Sequence, residues 1–220
     1  MKPVRKPRVK ICCISSVEEA QLAIDAGASA LGLVAHMPSG PGVIEDELIR
    51  EIALFAPPPI ATFLLTSRTD AKGIIDHQRV TGATTIQLVD ELKTGSYAQI
   101  KKALPGINIV QVIHVMGEES IEEALKISKS VDAVLLDSGN PNLAVKELGG
   151  TGRVHNWEVS KKIREQLEIP MFLAGGLKPE NVESAIEAVS PFGLDLCSGV
   201  RTSGKLDASK LNAFFEAVQR

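Results

Sequence analysis

The chain has 220 residues, of which 44% are hydrophobic and 4% aromatic, and a net charge of −3. That profile supports a sizeable core, gives no electrostatic basis for nucleic acid or an anionic membrane as partner, and holds no run near the roughly 18 apolar residues of a membrane span. Three cysteines without Cys-x-x-Cys spacing argue against a disulfide framework or a structural zinc site.

The basic opening MKPVRKP, residues 1–7, reads as a solvated tail; Glu18 and Glu19 return too soon for a signal peptide, and a reducing cytoplasm is the expected setting. The first strand follows as RVKICCI (8–14), then a helix over 16–27, with Ser15, Ser16, Glu18 and Glu19 as start signals and Gly27 as stop. Strand 30–35 precedes helix 44–55, strand 60–65 precedes helix 69–82, and strand 84–89 precedes helix 96–104. The pattern continues with strand 107–115 and helix 118–129, strand 131–137 and helix 156–167, strand 171–176 and helix 179–189, and strand 193–199 and helix 207–219. The strands are continuous apolar runs, as expected when both faces are covered. Eight strand–helix units in strict alternation predict an α/β fold, a (β/α)8 TIM barrel of eight parallel strands with outer helices, as one domain over 1–220.

In such a barrel the chemistry belongs at the C-terminal ends of the strands. Alternation along strand 1 puts Lys10, Cys12 and Ile14 on one face and Val9, Ile11 and Cys13 on the other. Only one cysteine is then expected in the mouth, with the other against the helices. A cysteine there serves as nucleophile or base, or both cysteines are small buried hydrophobes. Asp137 follows four apolar residues and suits acid–base work, with capping as the alternative. Gly-rich turns at 147–153, 174–181 and 197–204 follow strands 6, 7 and 8, where barrels hold phosphate on backbone N–H groups.

In this order VKICCIS, GASALGLV, VLLDS, LGGTGRVHNW, FLAGGLKPENV and LCSGV resemble the phosphoribosylanthranilate isomerase family. The resemblance implies Cys12 as general base and Asp137 as general acid, with phosphate held by Gly150, Thr151, Gly152, Gly175, Gly176, Ser198 and Gly199. Lys10, Asp195, Arg153 and Arg201 are further candidates for substrate contact. The implied reaction is an Amadori rearrangement of a phosphosugar, without metal or organic cofactor. The histidines, His36, His77, His114 and His155, are dispersed. A small-molecule phosphosugar is the expected partner, and a homodimer stays open as the assembly.

The sequence also departs from the family. Cys13 stands where members carry glycine, and the loop 36–47 lacks the arginine that pairs with the anthranilate carboxylate. Gln87-Leu88-Val89-Asp90 replaces Gln-Leu-His-Gly, and His155-Asn156-Trp157 replaces Phe-Asp-Trp. The loop after strand 6 is longer than expected. Arg68, Arg153 and Arg201 lie in rim loops and are the candidates for the missing charge. The alternative readings are an isomerase-like paralogue acting on another phosphorylated compound and a non-catalytic phosphate-ligand binding protein.

Overall fold

A computed structural model describes residues 6–139 and 156–219. Eight parallel strands close into a barrel in chain order. They are β1 (Arg8–Ile11), β2 (Ala30–Val34), β3 (Ala61–Thr66), β4 (Thr85–Leu88), β5 (Asn108–His114), β6 (Ala133–Asp137), β7 (Met171–Leu173) and β8 (Gly193–Leu196). The helices α1 (Val17–Ala26), α2 (Asp46–Phe55), α3 (Ala71–Thr81), α4 (Tyr97–Ala103), α5 (Glu119–Ser128), α6 (Trp157–Gln166), α7 (Val182–Val189) and α8 (Ala208–Gln219) alternate with them. Closure is made by β1 against β8, with Lys10 opposite Asp195 and Ile11 opposite Leu196.

Local signals set the helix ends. The Ser16 side chain accepts from the Glu19 N–H, and Gly27 ends α1 in the left-handed region at φ 109°. Asp70 caps α3 through the Gly73 N–H, and Ser96 with Gln99 forms a reciprocal capping box on α4. Each strand then divides its side chains between two layers. Ile11, Leu31, Leu64, Ile86, Ile113 and Leu136 pack outward against the helices. Ala30, Phe63, Val110, Ala133 and Phe172 fill the barrel interior. Phe172 sits edge-on to both Phe63 and Phe192, with centroids 5.8 and 5.6 Å away, near the N-terminal end.

One expectation about strand 1 needs correction. The strand ends at Ile11, three residues short of the predicted end, and Cys13 has φ 62°. Alternation of faces holds only while the backbone stays extended, so the left-handed turn at residue 13 cancels it. Cys13 therefore joins Cys12 in the interior cluster rather than facing the helices. The glycine that the family carries at this position has no Cβ to strain in that conformation. A short hairpin, β9 (Arg201–Thr202) with β10 (Lys205–Leu206), follows β8 and was not expected from the sequence.

Candidate active site

At the C-terminal end of the barrel, Cys12, Cys13, Gln87, Asp137, Gly175, Gly176, Asp195, Cys197 and Ser198 line one cavity. It holds about 710 Å³ of atom-free space, part of it open to solvent. The opposite wall is Val34, Met37, Ser39, Gly40, Pro41, Leu65 and Val89. Cys12 from the end of β1 and Asp137 from the end of β6 thus meet across the same space. Gly150, Thr151, Gly152 and Arg153 lie outside the described residues.

Beneath the thiols, Lys10 is fully buried and its Nζ donates to Asp195 Oδ1 at 2.7 Å. The ammonium also lies 5.2 Å above the Phe63 ring. Burial alone would lower the Lys10 pKa, but the Asp195 charge overrides it, with help from Cys12, and the net shift is upward. Lys10 therefore stays a cation. Gly32 of β2 leaves room for this arrangement: a Cβ there would sit 2.8 Å from Cys12 Sγ and 3.0 Å from Lys10 Nζ. The sulfur and the ammonium are consequently neighbours. Lys10 lies under the cavity floor, and its charge reaches the cavity through Asp195 and Cys12.

Asp137 is 7% exposed, and its Oδ1 accepts from the Ser138 N–H at 2.7 Å. Burial raises its pKa, opposed by that hydrogen bond and by His114, which pairs with it in the β5–β6 register. The His114 Nε2 donates to the Val89 carbonyl at 3.2 Å, which fixes the orientation of the ring. A carboxyl held protonated into a higher pH range is what a general acid needs.

Gly175 and Gly176 both have positive φ, 86° and 62°. They line the cavity together with Ser198, at the start of a short 3-10 turn over Ser198–Val200. A Cβ at Gly199 would come within 2.0 Å of the Leu177 carbonyl oxygen, so only glycine lets the two loops after β7 and β8 touch. Backbone N–H groups of both loops can then converge on an anion.

The arginine expectations fare differently. Arg201 forms a fork to Glu19, with both nitrogen–oxygen distances 2.9 Å, and also donates to the carbonyls of Cys12, Cys13 and Gly204. These bonds clamp the end of β1, while the Arg201 Nε has no hydrogen-bond partner among the described residues and the side chain does not line the cavity. Arg68 is exposed, reaches the Gly73 carbonyl, and does not line the cavity.

Sequence reasoning overlooked three cavity residues. Gln87 is buried, and its Oε1 has no hydrogen-bond partner among the described residues. An amide between Ile86 and Leu88 was a legible signal for an inward polar group. Cys13 and Cys197 carried no comparable signal, because the first depends on a backbone turn and the second on strand closure.

A family model described as N-(5'phosphoribosyl)anthranilate (PRA) isomerase matches residues 9–217. The chain belongs to the phosphoribosylanthranilate isomerase family. Among its relatives, N-(5'-phosphoribosyl)anthranilate isomerase 2 of Methanosarcina mazei is 38% identical over 197 residues, covering 89% of this chain and 86% of that one. The enzyme of Methanocella arvoryzae is 33% identical, covering 96% and 98%. The crystal structure of phosphoribosyl anthranilate isomerase from Thermotoga maritima superposes with a TM-score of 0.80 at 29% identity, covering 97% and 98%. A crystal structure of a family member in complex with reduced 1-(o-carboxyphenylamino)-1-deoxyribulose 5-phosphate gives a TM-score of 0.77 at 27% identity, with the same coverage.

Proposed function

We propose that this chain converts N-(5-phosphoribosyl)anthranilate to 1-(o-carboxyphenylamino)-1-deoxyribulose 5-phosphate, an isomerisation in tryptophan biosynthesis. The observation that carries the reading is Cys12 and Asp137 on opposed strands of one cavity, with glycine turns at its β7–β8 side. Family membership over residues 9–217 supports it.

Asp137 donates its proton to the furanose ring oxygen, the C1–O bond breaks, and the anilinic nitrogen lone pair forms the C1=N iminium. Cys12, as thiolate, removes the C2 proton, and the electron pair flows into the iminium to give an enolamine. The enolamine gains a proton at C1 and loses its C2 hydroxyl proton, which yields the ketone and leaves the total proton count unchanged. The iminium is itself the electron sink for these steps. The unpartnered Gln87 Oε1 is placed to accept from a sugar hydroxyl, and the loops at Gly175, Gly176, Ser198 and Gly199 to receive the phosphate.

One observation favours a second reading. The wall formed by Met37, Ser39, Gly40 and Pro41 has no cationic side chain to meet an anthranilate carboxylate. An isomerase-like paralogue acting on an uncharged aryl amine would suit that wall. Complementation of a tryptophan auxotroph lacking this isomerase separates the two: rescue supports the first reading, and soluble expression without rescue supports the second. For assembly and location we propose a cytoplasmic homodimer, on the model of the Thermotoga maritima relative described as dimeric; analytical ultracentrifugation tests the dimer.

A further inference from the structure

We propose that Cys197 and Cys13 form an oxidisable thiol pair at the barrel mouth, a modification site for hydroperoxides whose closure to a disulfide reversibly disables the cavity. All three cysteines of the chain converge there. Cys12 and Cys13 leave the end of β1, and Cys197 directly follows β8, the strand that closes the barrel against β1. The Cys12 N–H donates to the Leu196 carbonyl at 2.8 Å, which brings residue 197 alongside the cysteine pair. Cys197 packs against the interior cluster that contains Cys12 and Cys13, and all three line the same cavity. The rearrangement uses Cys12 alone, so two of the three thiols have no part in it.

Their environments assign different roles. Cys13 is buried in left-handed backbone, and its thiol donates to the Pro41 carbonyl at 3.6 Å. The neighbouring Cys12 and Cys197 thiols, and then burial, push the Cys13 pKa up. Cys197 is only half-buried and faces the cavity. The hydrogen bond from Cys13 lowers its pKa against burial, and the Arg201 guanidinium assists. Cys197 is thus the accessible and more readily ionised thiol and Cys13 the resolving thiol. Bridging Cys12 to Cys13 instead would force a distorted peptide between adjacent residues.

The steps balance with a hydroperoxide as oxidant. The Cys197 thiolate attacks one peroxide oxygen; an S–O bond forms, the O–O bond breaks, and the leaving alkoxide or hydroxide takes a proton. The sulfur is oxidised by two electrons to a sulfenic acid, and the peroxide is reduced. Cys13 sulfur then attacks the sulfenic sulfur, an S–S bond forms, and the oxygen departs as water with the Cys13 proton. A dithiol reductant reverses the change.

Closure would disturb the cavity from two sides. The bond would tie the end of β1 to the residue preceding Ser198, in the proposed phosphate loop. It would also draw Cys13 from Pro41 and Gly42, against which the loop after β2 packs; a Cβ on Gly42 would lie 2.5 Å from Cys13 Cβ.

The test treats the reduced full chain with hydrogen peroxide and reads intact mass, mapped peptides and isomerase rate. The expected result is loss of two hydrogens, one Cys13–Cys197 cross-link, and a rate reduced roughly 10- to 100-fold that dithiothreitol restores. Each variant is judged against its own untreated rate. Cys197→Ser is expected to show no cross-link and to keep that rate under the same exposure. Cys13→Gly is expected to leave a sulfenic acid on residue 197, trapped by dimedone, with no cross-link. A cross-link at any other pair, no cross-link at all, or equal inactivation of Cys197→Ser would overturn the proposal. Only the rate readout rests on the isomerase reading; the mass readout tests the thiol chemistry even if the substrate were different.

Discussion

At the N-terminal end of the barrel, Phe63, Phe172 and Phe192 stack edge to face beside small residues such as Ala30, Ala61 and Ala133. At the C-terminal end the same alternating strands present Cys12, Gln87, Asp137 and Asp195. Both ends face the barrel axis, and both obey the same inward–outward rule. They differ in what burial costs. Aromatic rings gain from leaving water, whereas carboxyls, an ammonium and an amide lose hydration and must find partners. Lys10 and Asp195 do so with each other, but Gln87 Oε1 has no partner among the described residues. Gln87 thus leaves unbalanced polar burial at the mouth, where a substrate can complete it.

This contrast can be broken at several points. The largest expected effect is at Asp137: Asp137→Asn should lower kcat by roughly 10²–10⁴-fold with the fold retained, read by steady-state kinetics and circular dichroism. The pH profile adds a sign. A buried acid with a raised pKa acts while protonated, so wild-type turnover should fall as pH rises through that value. The same shift makes its contribution to stability full below the unfolded pKa and lost as pH rises through the folded one. Next comes Lys10→Met, which strands the buried Asp195 charge and should cost about 3–5 kcal/mol in urea unfolding. At the opposite end, Phe172→Leu should cost about 1–2 kcal/mol while leaving kcat/KM unchanged, which would separate the two ends cleanly. The smallest effect has the opposite sign: Cys13→Gly should gain about 1 kcal/mol by relieving the left-handed backbone.

Much of the architecture was legible because local patterns determine it. Apolar runs separated by helical periodicity counted out eight units, and the barrel then pointed to the C-terminal ends of its strands, where Cys12 and Asp137 share a cavity. What escaped depended on long-range closure or on one torsion. The partner of Arg201 is Glu19, 182 residues earlier, and that pairing could not be read from either local segment. Lys10 and Asp195 are 185 residues apart and meet only because β8 closes on β1. Cys13 was assigned to the wrong side because strand alternation stops at the residue with φ 62°. Cys197 gave no signal of its own, since its neighbours come from the other end of the chain.

The central claim is that Cys12 removes the C2 proton of a phosphoribosylated anthranilate. The most direct measurement follows the fluorescence of N-(5-phosphoribosyl)anthranilate with purified wild-type chain and Cys12→Ala under identical conditions. The account requires rapid fluorescence change with the wild type and none above background with a folded Cys12→Ala that still binds a phosphosugar product analogue. Turnover by Cys12→Ala at the wild-type rate would contradict it.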